Sequence, residues 1–156
     1  MFTGIQILEP RIFNYIPHGV FSHSTTDVYP QAIAKGERVA VHVASGRWLE
    51  LSTIQRYLDI SLYLLSESGE TLSAGPGCQV SAAAEVEQSV LWDRVVVESG
   101  ARVKRAVLGD GVKIRTGEVV ENAVVVPAAL IQGKTRPPKA LAGEIQGDNF
   151  VVPLAE

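Results

Sequence analysis

Apolar and polar positions along the chain follow two regimes that meet near residue 66. From 78 to 125 the apolar positions recur every 17 residues, at Val80, Val97 and Ile114, at Val86, Val103 and Val120, and at Leu91, Leu108 and Val125. Small residues keep the same interval at Ala83, Gly100 and Gly117 and at Ser89, Ala106 and Ala123. Within one period the inward-type positions fall about three apart, at Cys78, Val80, Ala83, Val86, Ser89 and Leu91. Val, Ile and Leu fill many of these slots, and no part of the stretch carries a helical period. The pattern predicts short strands that turn at small residues and stack coil upon coil.

A repeat of that kind is the signature of a hexapeptide β-helix, in which one coil cannot bury its own apolar face and its neighbours supply the core. Three full hexapeptides make about 18 residues, so the shorter repeat implies one side reduced by a residue. Val80, Val86, Leu91, Val97, Val103, Leu108, Ile114 and Val120 are expected to point inward. Trp92 follows an inward leucine and so is expected outside, stacked with Gly109 and Val126. A tryptophan over so flat a patch implies contact with another part of the chain or another subunit. After residue 126 the register breaks. Arg136-Pro137-Pro138-Lys139 cannot continue a ladder, because proline has no amide donor, and Gly147-Asp148-Asn149 reads as a turn into a last strand at Phe150-Val151-Val152. This tail, 127–156, is expected to cap the open end of the β-helix. Lys134, Arg136 and Lys139 read as a solvated turn.

The first 65 residues alternate differently. Phe2 to Leu8 is a short apolar run before Glu9-Pro10, predicting a buried strand that leads into a short helix. Thr26 and Asp27 precede apolar Val28, Ala32 and Ile33, with a stop at Lys35-Gly36, which predicts a capped helix. Val39 to Val43 alternates toward a strand, and Ser45-Gly46 turns into Arg47-Trp48-Leu49-Glu50-Leu51. Ser52 or Thr53 can cap a further helix whose apolar face is Ile54, Tyr57, Leu58, Ser61, Leu62 and Leu65. Ser, Gly and Pro mark residues 66–76 as a linker.

Composition narrows the function classes. The chain has 156 residues, 46% hydrophobic and 20% charged, which fits a packed globular protein of one domain or two small ones. A net charge of −3 without a basic run gives no support for nucleic-acid binding. No apolar run of transmembrane length and no signal peptide is visible, so no membrane association is expected and the cytoplasm is the expected compartment. The single cysteine, Cys78, excludes an intrachain disulfide and a multi-cysteine metal site, and its inward register makes it a buried structural thiol. His18, His23 and His42 lack partner spacing and read as structural or solvated. Because no histidine follows His42, the coils lack the base that β-helix acyltransferases use.

The α/β part carries a resemblance. Phe2-Thr3-Gly4-Ile5, Phe21-Ser22, Asp27-Val28-Tyr29-Pro30, Gly46 through Thr53 and Arg56-Tyr57-Leu58 resemble the C-terminal third of sugar-1-phosphate nucleotidylyltransferases. The likeness is to bacterial mannose-1-phosphate guanylyltransferase-like proteins, and Ser89 through Asp93 and Ala106 through Asp110 resemble the coils of their β-helix. The resemblance implies a fragment of a Rossmann-type nucleotidyltransferase domain over 1–65 and the linker at 66–76. A short left-handed parallel β-helix over 77–126 and the capping tail follow. It also implies that the glycine-rich Thr-Arg loop, a metal-binding aspartate and a sugar-phosphate lysine lie before residue 1, so that this chain by itself is expected to be inactive.

In that family a sugar-phosphate oxygen attacks the α-phosphorus of a nucleoside triphosphate and pyrophosphate leaves, with Mg²⁺ and basic clamps taking up the charge. A metal-ligating aspartate follows the tryptophan of a Trp-x-Asp-x-Gly-Thr motif, which here reads Trp48-Leu49-Glu50-Leu51-Ser52-Thr53. By resemblance, Glu50 is the candidate Mg²⁺ ligand, with its carboxylate displaced by roughly 1 Å through the extra methylene. Thr3, Gly4 and Trp48 are the candidate sugar-side residues, Gly4 letting a hydroxyl approach the backbone. For Gly4 a strand glycine needed for close packing is the competing reading, for Trp48 a core tryptophan, for Glu50 a surface carboxylate at a strand end. Asp27 matches an acidic residue before a helix, or an N-cap. Expected partners are a sugar 1-phosphate, a nucleoside triphosphate and further copies of the chain, since an unpaired apolar edge at Phe2–Ile7 favours assembly. The alternative is a non-catalytic β-helix for oligomerisation or regulation, joined to a degenerate nucleotidyltransferase remnant.

Overall fold

Apolar alternation without a partner strand does not make a sheet, and the N-terminal part of the chain shows this. The computed structural model describes residues 2–155, which fall into two compact units divided between Trp48 and Leu49. In the first unit a 3₁₀ turn at Pro10–Tyr15 follows Glu9, as expected. A single π-type turn at Ser24–Val28 then runs into α1 (Tyr29–Ala34), with Val28 and Ala32 buried and Gly36 at φ 84° ending the helix. The strands expected at Phe2–Leu8, Val39–Val43 and Arg47–Leu51 are not strands. Ile5, Ile7, Val41 and Val43 are exposed, Ile7 completely. A strand is held by a neighbour's backbone groups, and none pairs with these segments among the described residues. The expected α/β fragment is therefore not seen: among the described residues this unit consists of helical turns and extended chain, without a sheet.

Corners organise the second unit. Arg94, Gly100, Arg105 and Gly111 have φ of 57°, 70°, 49° and 69°, so the chain turns after six, five and six residues. Gly117 and Asn122 repeat the turns one coil later, at 75° and 47°. The short side is the middle one, and it accounts for the 17-residue period. A left-handed corner costs a non-glycine residue about 1–2 kcal/mol, which the stacking of coils on both sides offsets.

Between corners lie the strands. β1 (Leu72–Ala74) opens the stack one repeat ahead of β4; the first full coil holds β2 (Gln79–Val80), β3 (Glu85–Glu87) and β4 (Ser89–Leu91), the second β5 (Val96–Val97) and β6 (Arg102–Leu108), the third β7 (Lys113–Ile114) and β8 (Val119–Pro127). Each pairs in parallel with the strand one repeat away: Val80 with Val97 and Val97 with Ile114, Val86 with Val103 and Val103 with Val120, Leu91 with Leu108 and Leu108 with Val125. The result is a three-sided β-solenoid of about three turns. Within the expected linker 66–76 lies β1, which pairs with β4 and so belongs to the stack.

Inside run Leu91, Val97, Val103, Leu108, Ile114, Val120 and Val125, joined by Val95, Ala101, Ala106 and Val112. Two expectations are corrected. Val80 is 40% exposed, because the first coil has no coil above it to close the core. Ala83 is an exposed corner residue, and the inward slot is the next one, Ala84 then Ala101. A one-residue slip of this kind arises because the corner and the inward position are both small. Cys78 is half-buried against the core, its thiol donating to the Trp92 carbonyl at 2.8 Å.

The outward face of the third side is also apolar: Val90, Val107 and Val124 repeat at the same interval. Onto this row packs α2 (Ile54–Glu67) with the face read from its period, Leu58 fully buried and Ile54, Tyr57 and Leu62 half-buried. Thr53 caps the helix, its Oγ1 accepting from Arg56 N at 3.2 Å. Arg105, at a left-handed corner, donates to Asp59 of α2 at 2.7 Å. Trp92 lies outside the coil as expected, 46% exposed, its Nε1 donating to Tyr57 Oη at 3.2 Å with the rings edge to face. Trp92→Ser removes one aromatic pair and one hydrogen bond, worth together about 1–2 kcal/mol. A melting temperature lower by roughly 3–6 °C is expected, and a variant that melts with wild type would show the contact to be idle.

In the tail a hairpin folds back onto the last coil. β9 (Glu144–Gln146) and β10 (Asn149–Pro153) make an antiparallel hairpin about Gly147, and β10 runs antiparallel along the outer edge of β8, Val151 opposite Val125 and packed on the core. Arg136–Lys139 stays out of the ladder.

Candidate functional site

The residues singled out by resemblance fall in both units. In the first, Thr3 uses its hydroxyl locally, Oγ1 accepting from Ile5 N at 3.4 Å. Gly4 has φ 80°, and a Cβ there would meet nothing within 4 Å. Its glycine character therefore serves the backbone turn; the close-packing explanation fails, since nothing packs there. Trp48 is 41% exposed, so it is not a core tryptophan. Asp27 serves the start of the helical segment: Oδ2 accepts from His23 N at 2.7 Å and Oδ1 from Thr26 Oγ1 at 3.2 Å. The His23 N–H bond in particular holds its carboxyl below the usual carboxylate range, so the capping form is the ionised one. The Phe21 and His23 rings meet edge to face at 4.8 Å, which gives His23 a structural setting.

Glu50, Ser52 and Thr53 wrap the start of α2 in the second unit. Arg56 Nη1 lies 2.7 Å from Glu50 Oε2 and donates to Ser52 Oγ at 2.9 Å, while the Arg56 amide goes to the Thr53 cap. One residue thus gathers Glu50 and Ser52 through its side chain and Thr53 through its amide, a clamp on the helix entry with both charged groups about half exposed. Such an exposed pair adds little stability, but it fixes where the carboxylate points. Mg²⁺ at nucleotide sites is held by one or two carboxylates together with substrate phosphates. Here the single carboxylate faces a guanidinium, and no group of three or more His, Cys, Asp or Glu able to hold a metal gathers among the described residues. As arranged, this donor set does not fit Mg²⁺.

Outside the solenoid, charges stack by coil. On the short side Lys104 Nζ sits 2.8 Å from Glu87, a pairing that raises the lysine above its ordinary range, and Glu121 lies next in the ladder. On the first side Lys113 Nζ lies 2.7 Å from Glu98, whose other oxygen accepts from Thr116 N at 3.0 Å. The Lys113 bond and then the Thr116 amide hold the Glu98 carboxyl below the usual range. Arg94 spans Asp93 and Asp110 at 3.8 and 3.6 Å. Apart from Arg94 with its neighbour Asp93, these pairs join neighbouring coils, and they read as lateral stitching of the ladder.

Sequence reasoning did not find the Val90–Val107–Val124 row, although its interval equals that of the inward residues and could have disclosed it. It also did not find the pairing of Glu50 with Arg56, for which spacing carries no signal.

No helix of the described residues is long and apolar enough to cross a membrane. Neither curated proteins nor solved structures give a match. Residues 67–136 match the family model described as GlmU-like, C-terminal hexapeptide, and with three-sided coils stacked at a constant interval this match supports a left-handed hexapeptide β-helix for that part of the chain.

Proposed function

We propose that the chain is the assembly and sugar-side part of a sugar-1-phosphate nucleotidylyltransferase of the mannose-1-phosphate guanylyltransferase-like kind. Its β-helix serves as the module through which copies associate. The observation that carries this reading is the number of exposed apolar side chains in the first unit, in and near the resembling motifs: Phe2, Ile5, Ile7, Phe21, Val41 and Val43 are all more than half exposed. Isolated exposed hydrophobics are ordinary, but an accumulation of this size marks a surface that something covers. The nucleotide-binding part of the same enzyme is the cover proposed. In the reaction a phosphate oxygen of the sugar 1-phosphate attacks the α-phosphorus of a nucleoside triphosphate, and the bond to pyrophosphate breaks. The turn at Gly4, open to solvent with Thr3 beside it, would accept a sugar hydroxyl. Trp48, half exposed, would offer a ring face to the sugar.

The ion pair of Glu50 with Arg56 favours a second reading, a non-catalytic β-helix for oligomerisation or regulation with a degenerate remnant before it. One pair of experiments separates them. The chain alone, given Mg²⁺, GTP and mannose 1-phosphate, should release no pyrophosphate above background, because no glycine-rich loop is present to hold the phosphates. Turnover by this chain would overturn the division of labour. The reading frame preceding Met1 should encode a glycine-rich loop with Thr-Arg; its absence would favour the non-catalytic module.

A further inference from the structure

Each coil passes backbone donors to carbonyls of the next. On the first side Ser81 N donates to Val97 O and Glu98 N to Ile114 O, both at 2.9 Å. Arg115 is the next residue in that series, but no fourth coil follows, because after β8 the chain enters a 3₁₀ turn at Ala128–Leu130. The Arg115 amide goes instead to a side chain, donating to Glu118 Oε2 at 2.8 Å. Glu118 is the one departure in its row: it occupies the slot of Ala84 and of the fully buried Ala101, yet it carries a carboxylate and is only half-buried. On the same edge Asn149 Nδ2 donates to Lys113 O at 2.8 Å, and the Arg115 side chain pairs with Asp148. At the adjoining corner Asn122 and Leu154 exchange two bonds, Leu154 N to Asn122 O at 2.8 Å and Asn122 Nδ2 to Leu154 O at 3.0 Å. By contrast, at the other end β1, β2 and β3 each pair on one edge only among the described residues.

An unpaired coil edge is a template for another chain, and the inward slot of a last coil decides what can stack on it. Alanine there would offer an apolar floor; a carboxylate cannot be covered without leaving water or finding a partner. We propose that Glu118 and Asn149 stand in for a fourth coil, supplying the acceptor and the donor it would have supplied, and so keep this end of the solenoid from pairing with a second copy of the chain. This role holds whatever chemistry the parent protein performs.

Three variants test it. Glu118→Ala restores the residue of the two preceding coils, so the coil itself tolerates it, while Glu118→Gln keeps an acceptor oxygen. In Glu118→Ala the Arg115 amide should exchange with solvent at least about tenfold faster by NMR, the factor one lost charge-assisted hydrogen bond represents, and Glu118→Gln should restore most of the protection. In sedimentation velocity the Glu118→Ala/Asn149→Ala double variant should form species larger than those of wild type, growing with concentration. A double variant that keeps its β-sheet circular dichroism and sediments as wild type overturns the proposal, as does unchanged exchange at Arg115. If the double variant loses its β-sheet signal, concentration-dependent growth of Glu118→Ala, absent from Glu118→Gln, decides in favour, and its absence decides against.

Discussion

Replacing Val103 with aspartate should lower the melting temperature by roughly 10–20 °C and abolish the single cooperative transition of the solenoid. Val103 is 1% exposed at the centre of the middle coil, paired with Val86 above and Val120 below. It has a coil on each side, so its side chain has no route to water. A buried carboxylate without a partner costs on the order of 3–5 kcal/mol, out of about 5–15 kcal/mol for a whole domain. For a chain of this size each kcal/mol moves the midpoint by about 2–4 °C. The same change at Val80, 40% exposed on the first coil, should cost far less, because its carboxylate can remain hydrated. Circular dichroism melts of the two variants are the check. Equal melting of Val103→Asp and wild type would mean that the inward register is wrong, and equal loss at both positions would mean that the first coil is covered.

Truncating Leu58 to alanine should detach α2 while leaving the coils folded. Leu58 is fully buried where α2 meets Val90, Val107 and Leu154. Truncations of this kind cost about 2–5 kcal/mol. A single 14-residue helix is marginal without its docking surface. Its other attachments are exposed, Arg105 to Asp59 and Trp92 to Tyr57, and cannot replace that burial. The expected result is rapid proteolysis within 49–70 and a red shift of tryptophan emission as Trp92 loses Tyr57. β-sheet circular dichroism should be retained. Resistance to proteolysis equal to wild type would show that α2 is held by something other than this face.

The solenoid was legible because its information is redundant. The inward row is written three times at a constant interval, so a weak preference at each position adds to a strong one. What the repeat left open was position within a turn. Ala83 and Ala84 are equally small, and only the backbone shows which one is the corner. The N-terminal strands were misread for a different reason. Alternation at Val39, Val41 and Val43 states which face would be apolar, but not whether a neighbouring strand exists to bond with. The candidate site was the least legible part. Glu50 was noticed for its carboxylate, whereas its role in the fold depends on an arginine six residues later that reaches back over the helix entry.

By itself the amino-acid sequence determined the period, the strand composition, the apolar face and cap of α2, the outward place of Trp92 and the turn of the last hairpin. All of these are local or repeating properties, set by side-chain type and spacing. Only the tertiary structure decided that Val90, Val107 and Val124 form a bed for α2, and that residues 2–8 and 39–43 join no strand among the described residues. It also showed that Glu118 closes an edge where its two predecessors in the row fill a core. The physical reason is the same in each case: the meaning of an apolar, extended or acidic residue there depends on which backbone donor or apolar surface the fold brings against it, and that neighbour is remote in sequence or absent.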